Sequence, residues 1–330
     1  MSGFNAEVNK FINKNLTLNQ KDISSAVASR EWLINKIINK ISEKTDCPQL
    51  YSEKGAKYIQ FGSYFKGTKV ANVDEFDIML IIDSKGGQFT KNGNILGNGI
   101  GNVSPNPKYN KKFYKENEDV ISSRKLLTWL KDIVDEVLKP YGCIPSERDG
   151  QAITAYIKSK NLHIDFVPGC IFQRAGTYGD DGVFYIIPKG DINCGWIETN
   201  PRIDKKIISD ISEIHSQFKN TIRLFKYLLK NSYKVKISSY AVESALVSYY
   251  KQSLFFDNFD YDFILFLLHL ISLVENEKIP DMRDSEINLL DISNKEVILK
   301  KLNIIKDKYY SLDENSITYS ENVEEFLKNE

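Results

Sequence analysis

Residues 61–83 read FGSYFKGTKVANVDEFDIMLIID, and this stretch decides the fold. A strand-like run ends at the Gly62-Ser63 turn, a short polar segment follows, and acidic and apolar residues then alternate until the chain becomes fully apolar. Such a pattern is typical of a strand that enters a buried sheet. Because successive side chains of a strand point to opposite faces, the carboxylates of Glu75 and Asp77 are expected on the same face.

A third acid follows in the strand-like run LHIDFV, where Asp165 has apolar neighbours on both sides. Burying a carboxylate in an apolar strand costs free energy unless it is paired or binds a cation. Mg²⁺ binds a few carboxylates together with substrate phosphates, so converging carboxylates suit it. Taken singly, an acidic pair is more often a solvated strand edge, and a lone Asp can be a satisfied core group. The combination of Glu75, Asp77 and Asp165 predicts a metal site.

The Gly62-Ser63 turn adds a phosphate-binding element to this pattern. Ser63 lies 12 residues before Glu75 and precedes an apparent short helix. Backbone N–H groups and a hydroxyl at a helix start bind phosphate, although a Gly-Ser turn alone is usually only a turn. Together with the acids, the turn predicts nucleotidyl transfer with two metal ions. One ion activates the attacking hydroxyl and the other holds the triphosphate.

Gly62-Ser63, Glu75-Phe76-Asp77 and Asp165 resemble the catalytic signature of the polymerase-β-like nucleotidyltransferases. More narrowly, residues 55–250 resemble the cGAS/DncV-like nucleotidyltransferases, the relatives of cyclic GMP–AMP synthase. Besides 61–83, the similar segments are ISSRKLLTWLKDIVDEV, LHIDFVPG, TIRLFKYLLK and ISSYAVESAL. The resemblance implies a two-lobed α+β fold, in which helices flank a mixed β-sheet. It also implies a helical C-terminal lobe, an N-terminal spine helix and an active site in the cleft between lobes.

The resemblance assigns roles to particular side chains. Glu75, Asp77 and Asp165 would be catalytic and would hold two Mg²⁺ ions, with Mn²⁺ as the alternative cation. Asp165 would also activate the attacking hydroxyl.

The resemblance further implies nucleotide-binding residues. Gly62 and Ser63 would contact the triphosphate, and Lys226 and Ser239 would contact phosphate oxygens. Tyr240 would stack on a base, an interaction worth ~1–3 kcal/mol. The pattern alone also allows Lys226 to be a surface lysine of an amphipathic helix and Tyr240 to be a core residue.

The periodicity of apolar residues gives the organisation around this site. It predicts helices at 20–45, 121–139, 205–231, 239–252, 259–275 and 295–310, and strands at 152–157 and 162–167, the second closed by Pro168-Gly169. We expect an N-terminal helical segment bridging the lobes at 1–50, the catalytic core at 51–200 and the helical lobe at 201–330. Residues 84–112 contain six Gly and two Pro without a period, which predicts a long loop, either an active-site lid or a surface insertion.

Composition excludes several classes of protein. Lys and Arg number 44, as do Asp and Glu, so the chain has no overall positive field for nucleic acid. The four cysteines (Cys47, Cys143, Cys170 and Cys194) lack zinc-site spacing, so we expect no zinc-dependent DNA binding. The most apolar run, 263–274, is shorter than the ~20 residues that a bilayer requires, and the N-terminus is unlike a signal peptide. We therefore expect a cytoplasmic protein without a membrane partner.

A Lys-rich, Arg-poor composition with many Asn and Ile favours a bacterial origin. For a bacterial member the resemblance implies antiphage defence. The product would be a cyclic di- or trinucleotide made from ATP, GTP or both, with pyrimidine nucleotides as further substrates, and a downstream effector protein would sense it. The alternatives are a linear oligonucleotide synthase, an RNA-tailing enzyme, a nucleotidylating enzyme, and a binding module on an inactive scaffold.

Overall fold

The computed structural model describes residues 3–45, 47–84, 87–91, 94–101, 113, 115, 121–179, 182–190, 195–252 and 255–329. Contacts divide the chain into two compact units. The sheet unit comprises Gln20–Tyr64 and Val73–Pro201, and the helical unit comprises Met1–Asn19, Phe65–Asn72 and Arg202–Glu330. The predicted segments 1–50, 51–200 and 201–330 stay a prediction.

The elements of the described residues follow one another along the chain. They are α1 (Phe4–Phe11), α2 (Gln20–Ser42), β1 (Tyr58–Phe61), α3 (Gly62–Lys66), β2 (Glu75–Ile82), β3 (Gln88–Lys91), β4 (Asn94–Gly99), α4 (Ser123–Leu138), β5 (Glu147–Asp149), β6 (Ala152–Ile157), β7 (Leu162–Arg174), β8 (Val183–Pro188), β9 (Trp196–Thr199), α5 (Pro201–Ile214), α6 (Phe218–Tyr227), α7 (Ser239–Gln252), α8 (Phe259–Glu275), α9 (Lys295–Tyr310) and α10 (Tyr319–Lys328). Short π-helical turns, Ile12–Leu16 and Leu228–Ser232, continue α1 and α6.

A mixed sheet built around β7 forms the sheet unit. Strand β2 runs parallel to β7, whereas β1 is antiparallel to β2, and β4, β6 and β8 are antiparallel to β7. The outer strands β3, β5 and β9 pair with β4, β6 and β8. This is the mixed sheet with flanking helices that the resemblance implied, and that expectation is confirmed.

The two faces of β2 pack into different cores, because successive side chains of a strand point to opposite faces. Phe76, Ile78, Leu80 and Ile82 belong to a core that also contains the apolar faces of α2 and α4. Met79 and Ile81 belong to a smaller core on the other face, with Val167 and Ile171 of β7. Glu75 and Asp77 precede Met79 and Ile81 in this alternation, so the acids extend the face that α2 and α4 leave uncovered.

Aromatic packing dominates the helical unit. The rings of Phe225 and Phe263 stack at 5.0 Å, and Phe266 meets Phe225 edge-on at 4.5 Å. From α1, Phe4 packs against Phe263 at 5.2 Å and against Tyr309 at 5.1 Å. Such rings bury large apolar areas and gain further from edge-to-face contact. The apolar run 263–274 is part of this core, and within the described residues no helix is long and apolar enough to cross a membrane.

Most predicted elements are confirmed. The helices predicted at 20–45, 121–139, 239–252, 259–275 and 295–310 are α2, α4, α7, α8 and α9, and the strand at 152–157 is β6.

The predicted helix at 205–231 is wrong as one element, because α5 ends at Ile214 and α6 begins at Phe218. The carboxylate of Asp257 accepts hydrogen bonds from the backbone N–H groups of Ser216 and Gln217, at 3.0 and 3.1 Å. An acceptor 40 residues away in sequence holds this break, and local periodicity carries no signal of it.

The strand predicted to end at Pro168-Gly169 instead continues to Arg174. Gly169 belongs in the strand because a Cβ there would lie 2.4 Å from the sulfur of Met79. The glycine therefore marks a close approach to β2 and not a turn.

The region 84–112 was predicted to be a loop, and this is wrong for its first half. Residues 88–91 and 94–99 form the hairpin β3–β4, which joins the sheet through β7. A Cβ on Gly97 would lie 2.6 Å from the ring of Phe184, so this glycine lets the hairpin pack. Residues 102–112, on which the predicted lid or insertion also falls, lie outside the described residues.

Candidate active site

Three carboxylates converge where β2 and β7 run side by side. Glu75 and Asp77 begin β2, and the parallel register places Asp77 directly opposite Asp165. Carboxylate oxygens of Glu75, Asp77 and Asp165 all lie within 4.8 Å of one another, and each side chain is half-buried. The structure thus brings together the three acids singled out in the sequence, while their catalytic and metal-binding roles stay predictions.

A residue of the neighbouring strand β6 holds the Asp165 carboxylate. The hydroxyl of Thr154, its partner on β6, donates a hydrogen bond of 2.6 Å to Oδ1. Burial raises the pKa of Asp165 above its ordinary value, and the negative charges of Glu75 and Asp149 raise it further, although the Thr154 hydrogen bond opposes them. A pocket of ≈190 Å³ opens beside it, lined by Asp74, Glu75, Asp149, Thr154, His163 and Asp165.

Gly62 is the residue that the acid site requires at the start of α3. Its neighbour Phe61 pairs with Asp77 across β1 and β2, and Gly62 itself has φ +72°. A Cβ at Gly62 would lie 1.7 Å from Oδ2 of Asp77. Two independent constraints, a left-handed backbone and the Asp77 carboxylate, therefore restrict this position to glycine. Ser63 follows in the first turn of α3.

The acid site fits a divalent cation. Like charges held this close repel one another, and within the described residues the charges that act on the Asp165 pKa are chiefly acidic. A bound Mg²⁺ ion would reverse that repulsion and would hold the carboxylates in their ionised form. The ligand atoms are oxygens, which Mg²⁺ and Mn²⁺ prefer.

In the helical unit, Lys226 of α6 is buried and already engaged. Its ammonium lies 3.1 Å from Oε1 of Glu243 and donates a hydrogen bond of 3.2 Å to the carbonyl oxygen of Thr68. Burial lowers the pKa of Lys226, and the neighbouring Glu243 opposes this shift. The predicted contact of Lys226 with phosphate stays a prediction.

Glu243 binds a second cation, Lys66, through Oε2. The hydroxyl of Thr68 donates a further hydrogen bond of 2.7 Å to Oε1. Burial alone would raise the pKa of Glu243, yet Lys66 and Lys226 outweigh burial and lower it. Glu243 is thus an ionised carboxylate whose two lysines come from α3 and α6.

Ser239 and Tyr240 begin α7. The Tyr240 hydroxyl lies 3.2 Å from Oδ1 of Asp281 and 3.4 Å from Oδ1 of Asp204, and the ammonium of Lys66 lies 5.3 Å from the centre of its ring. Burial raises the pKa of Tyr240, and the charge of Asp204 adds to this effect. Ser239 is half-buried.

Sequence reasoning missed Glu243, Lys66 and Thr154. Glu243 was noticeable in the sequence, because it is an acid within the segment ISSYAVESAL, which was predicted to be helical. The structure places it in a helix whose residues 241–249 are all buried. Thr154 and Lys66 carried no such signal, since each depends on a partner brought close by the fold.

Known proteins resemble this chain both in sequence and in fold. Residues 64–177, which include all three acids, match the family model of the Mab-21 protein nucleotidyltransferase domain. A probable cyclic nucleotide synthase of Bacillus cereus strain VD146 is 25% identical over 293 residues, which cover 88% of this chain and 85% of the relative.

Two solved structures share the fold. A structure of E. coli MS115-1 CdnC with ATP has a TM-score of 0.68 at 15% identity and covers 99% of this chain and 98% of its own. The complex of the same CdnC with HORMA-deltaN has a TM-score of 0.68 at 16% identity, with 98% and 96% covered. The predicted polymerase-β-like nucleotidyltransferase fold is confirmed.

Proposed function

We propose that this chain, a cGAS/DncV-like nucleotidyltransferase by its sequence and by these comparisons, joins nucleoside triphosphates into a cyclic di- or trinucleotide. The observation that carries the proposal is the triad of Glu75, Asp77 and Asp165, whose oxygens lie within 4.8 Å of one another beside a pocket. A ribose hydroxyl attacks an α-phosphate, pyrophosphate leaves, and repetition of this step closes the ring.

The three acids would hold two Mg²⁺ ions, with Mn²⁺ as the alternative. Bound metal would supply charge stabilisation for the phosphates and for the leaving oxygen. Asp165 accepts the proton of the attacking ribose hydroxyl, and Thr154 fixes the orientation of its carboxylate through the bond to Oδ1. Gly62 leaves the Asp77 carboxylate the space that it occupies.

The nucleotide contacts belong to the same proposal. Gly62 and Ser63 contact the triphosphate, and Ser239 and Lys226 contact phosphate oxygens. An ammonium has three donors, and the contacts with Glu243 and Thr68 engage two of those of Lys226.

Tyr240 stacks on a base. Its hydroxyl is held by Asp281 and Asp204, which fixes the position of the long axis of the ring. A side chain already held at its tip favours stacking, since less side-chain entropy is lost when the base binds.

The biological setting is also proposed. The B. cereus relative is named as a probable cyclic nucleotide synthase, which supports a bacterial second-messenger role. We place the chain in the cytoplasm, in antiphage defence, with ATP, GTP or both as substrates and a product-sensing effector downstream. CdnC has been solved in complex with HORMA-deltaN, so a regulatory protein partner is consistent with this setting.

The test is a product analysis. Purified protein is incubated with Mg²⁺ and all four labelled nucleoside triphosphates, treated with phosphatase and analysed by mass spectrometry. We expect a compact phosphatase-resistant product and released pyrophosphate, both absent in Asp77→Asn.

A ladder of oligonucleotides would instead establish a linear synthase, and label in RNA or protein would establish a tailing or nucleotidylating enzyme. Absence of incorporation with Mg²⁺ and with Mn²⁺ would favour a binding module.

A further inference from the structure

Helix α6 has one basic face. Lys219, Arg223 and Lys226 are spaced by four and three residues, so their side chains lie on the same side of the helix. This face packs on the segment 65–72 of the same unit. Nη2 of Arg223 donates a hydrogen bond of 2.7 Å to the carbonyl oxygen of Gly67, next to the Thr68 carbonyl that Lys226 binds.

Lys219 lies against the same turn. Gly67 has φ +74°, and a Cβ there would lie 3.5–3.8 Å from the outer atoms of the Lys219 side chain, including its ammonium nitrogen. The side chain thus runs beside the turn at Gly67, whose carbonyl Arg223 binds. Two cations of α6 therefore meet at one glycine.

The charge on this face is unbalanced. Lys226 has Glu243, but Lys219 and Arg223 make no ion pair with any residue that the structure describes. The bonds of Arg223 go to neutral acceptors, the Gly67 carbonyl and Oδ1 of Asn220 at 3.0 Å, and its buried Nε has no partner.

Two further acids of this unit balance another cation. Asp204 and Asp281 hold Arg283, at 3.2 and 3.3 Å. A half-buried guanidinium without a counter-charge costs free energy, and burial lowers the pKa of Arg223. An anion from solution would remove that cost.

We propose that Lys219 and Arg223 form a site for the phosphate oxygens of a polyphosphate chain at the Gly67 turn. A guanidinium offers paired donors to phosphate, and an ammonium adds a point charge. The proposal deepens the proposed function and rests on it only where the source of the chain is the triphosphate of a substrate. Free inorganic polyphosphate is the other source.

A polyphosphate fits this site better than a nucleic acid does. Nucleic acid binding depends on many phosphate contacts along an extended basic surface, and the whole chain has a formal net charge of zero. The cationic cluster is compact, because the charges of Lys66 and Lys69 both act on Lys226, which binds the Thr68 carbonyl beside the same turn. Compact positive charge suits a short, highly charged anion.

The test measures binding and not turnover. Isothermal titration calorimetry of the full chain uses inorganic tripolyphosphate and, separately, ATP, with adenosine as the uncharged comparison. The variants are Lys219→Ala, Arg223→Gln and Arg223→Lys. The matched control is Lys230→Ala, an exposed lysine in the π-helical turn after α6.

We expect Arg223→Gln to weaken tripolyphosphate binding at least about tenfold, as loss of a charge-assisted hydrogen bond predicts. Lys219→Ala should weaken it by a smaller factor, Arg223→Lys should restore part of the loss, and Lys230→Ala should have no effect. A parallel loss for ATP identifies the triphosphate of the substrate as the source. A loss confined to tripolyphosphate identifies free inorganic polyphosphate.

Unchanged tripolyphosphate binding in both Lys219→Ala and Arg223→Gln would overturn the proposal. Lys219 makes no hydrogen bond within the described residues, so Lys219→Ala remains informative if Arg223→Gln unfolds. Because tripolyphosphate binding needs no catalysis, this test of the site does not depend on whether the chain synthesises a cyclic nucleotide.

Discussion

The two units bury carboxylates in opposite ways. In the sheet unit, Asp165 faces Glu75 and Asp149, and its pKa is raised. In the helical unit, Glu243 is only 1% exposed, yet Lys66 and Lys226 lower its pKa. Among the described residues, acids outweigh the charge of His163 beside Asp165, whereas two lysines act on Glu243.

The two groups differ in where the balancing charge comes from. A buried carboxylate neutralised by the chain's own lysines needs no ion from outside, and removing either partner leaves a buried charge unpaired. A group of carboxylates that repel one another is stabilised as an ionised set when a cation binds. Burial alone therefore does not distinguish these two kinds of carboxylate, whereas the sign of the surrounding charge does.

The largest effect is expected from Asp165→Asn, which removes the negative charge of the sheet-unit acid. Activity should fall about a thousandfold, because losing a proposed metal ligand would remove several kcal/mol of charge stabilisation. Without metal, the variant should be at least as stable as the parent chain, because it lacks the carboxyl group whose pKa burial raises. Product formation and urea unfolding in EDTA measure the two effects.

Asp132→Asn is the matched control, an exposed acid of α4 in the same unit. It should change neither quantity. A large loss of stability in Asp165→Asn would show that this acid is structural, and the contrast with Glu243 would disappear.

Glu243→Gln should show the opposite pattern at the helical unit. Removing one partner of a buried ion pair leaves charges unpaired and costs about 3 kcal/mol of unfolding free energy or more. Adding Lys226→Met should recover part of this loss, because it removes one stranded cation. Glu321→Gln, an exposed acid of α10, is the control for charge alone. Urea unfolding followed by circular dichroism gives each value.

The pH dependence of this stability loss shows whether the charge of Glu243 causes it. Because the pKa of Glu243 is lowered on folding, its contribution is present above the ordinary value of 4.5 and is lost as the pH falls through the folded value. The deficit of Glu243→Gln should therefore be largest near neutral pH and should shrink in acid. A deficit independent of pH would mean that packing, and not charge, accounts for it.

The smallest effect is expected from a pair of glycine variants. They test the role of Gly62 beside the acids of the sheet unit. Gly62→Ala and Gly142→Ala both place a side chain at positive φ, +72° and +64°, but only the first meets Asp77, since nothing lies within 4 Å at Gly142. Gly142→Ala should lose about 1–2 kcal/mol of stability, and Gly62→Ala should lose at least as much, because its Cβ also meets the Asp77 carboxylate. Only Gly62→Ala should lose activity, about a hundredfold, because Asp77 must move. Equal activities of the two variants would contradict the assigned role of Gly62.

The acid site was predictable because its signals are local. Alternation places Glu75 and Asp77 on one face. An aspartate within an apolar strand stands out because burying an unpaired carboxylate costs free energy. The parallel register that brings Asp165 opposite Asp77 is not local, and it came from the resemblance. The hydrogen bond from Thr154 depends on the pairing of β6 with β7, so it was not foreseen.

The helical unit was less predictable. Helix bounds followed from apolar periodicity, but the break between α5 and α6 depends on Asp257, 40 residues away. The pairing of Lys66 with Glu243 joins residues 177 apart in the chain. Such partners are set by tertiary packing, and a single sequence contains no register from which to derive them.

Strand β7 has a consequence for the timescale on which the site opens. Its first half pairs with β2 and β6, and its second half pairs with β4 and β8. Amide protons of such a strand exchange with deuterium only when the whole sheet opens, so they should be among the slowest in the chain. Asp165 lies on this strand, and fluctuations of the hairpin β3–β4 therefore leave its backbone in place during turnover.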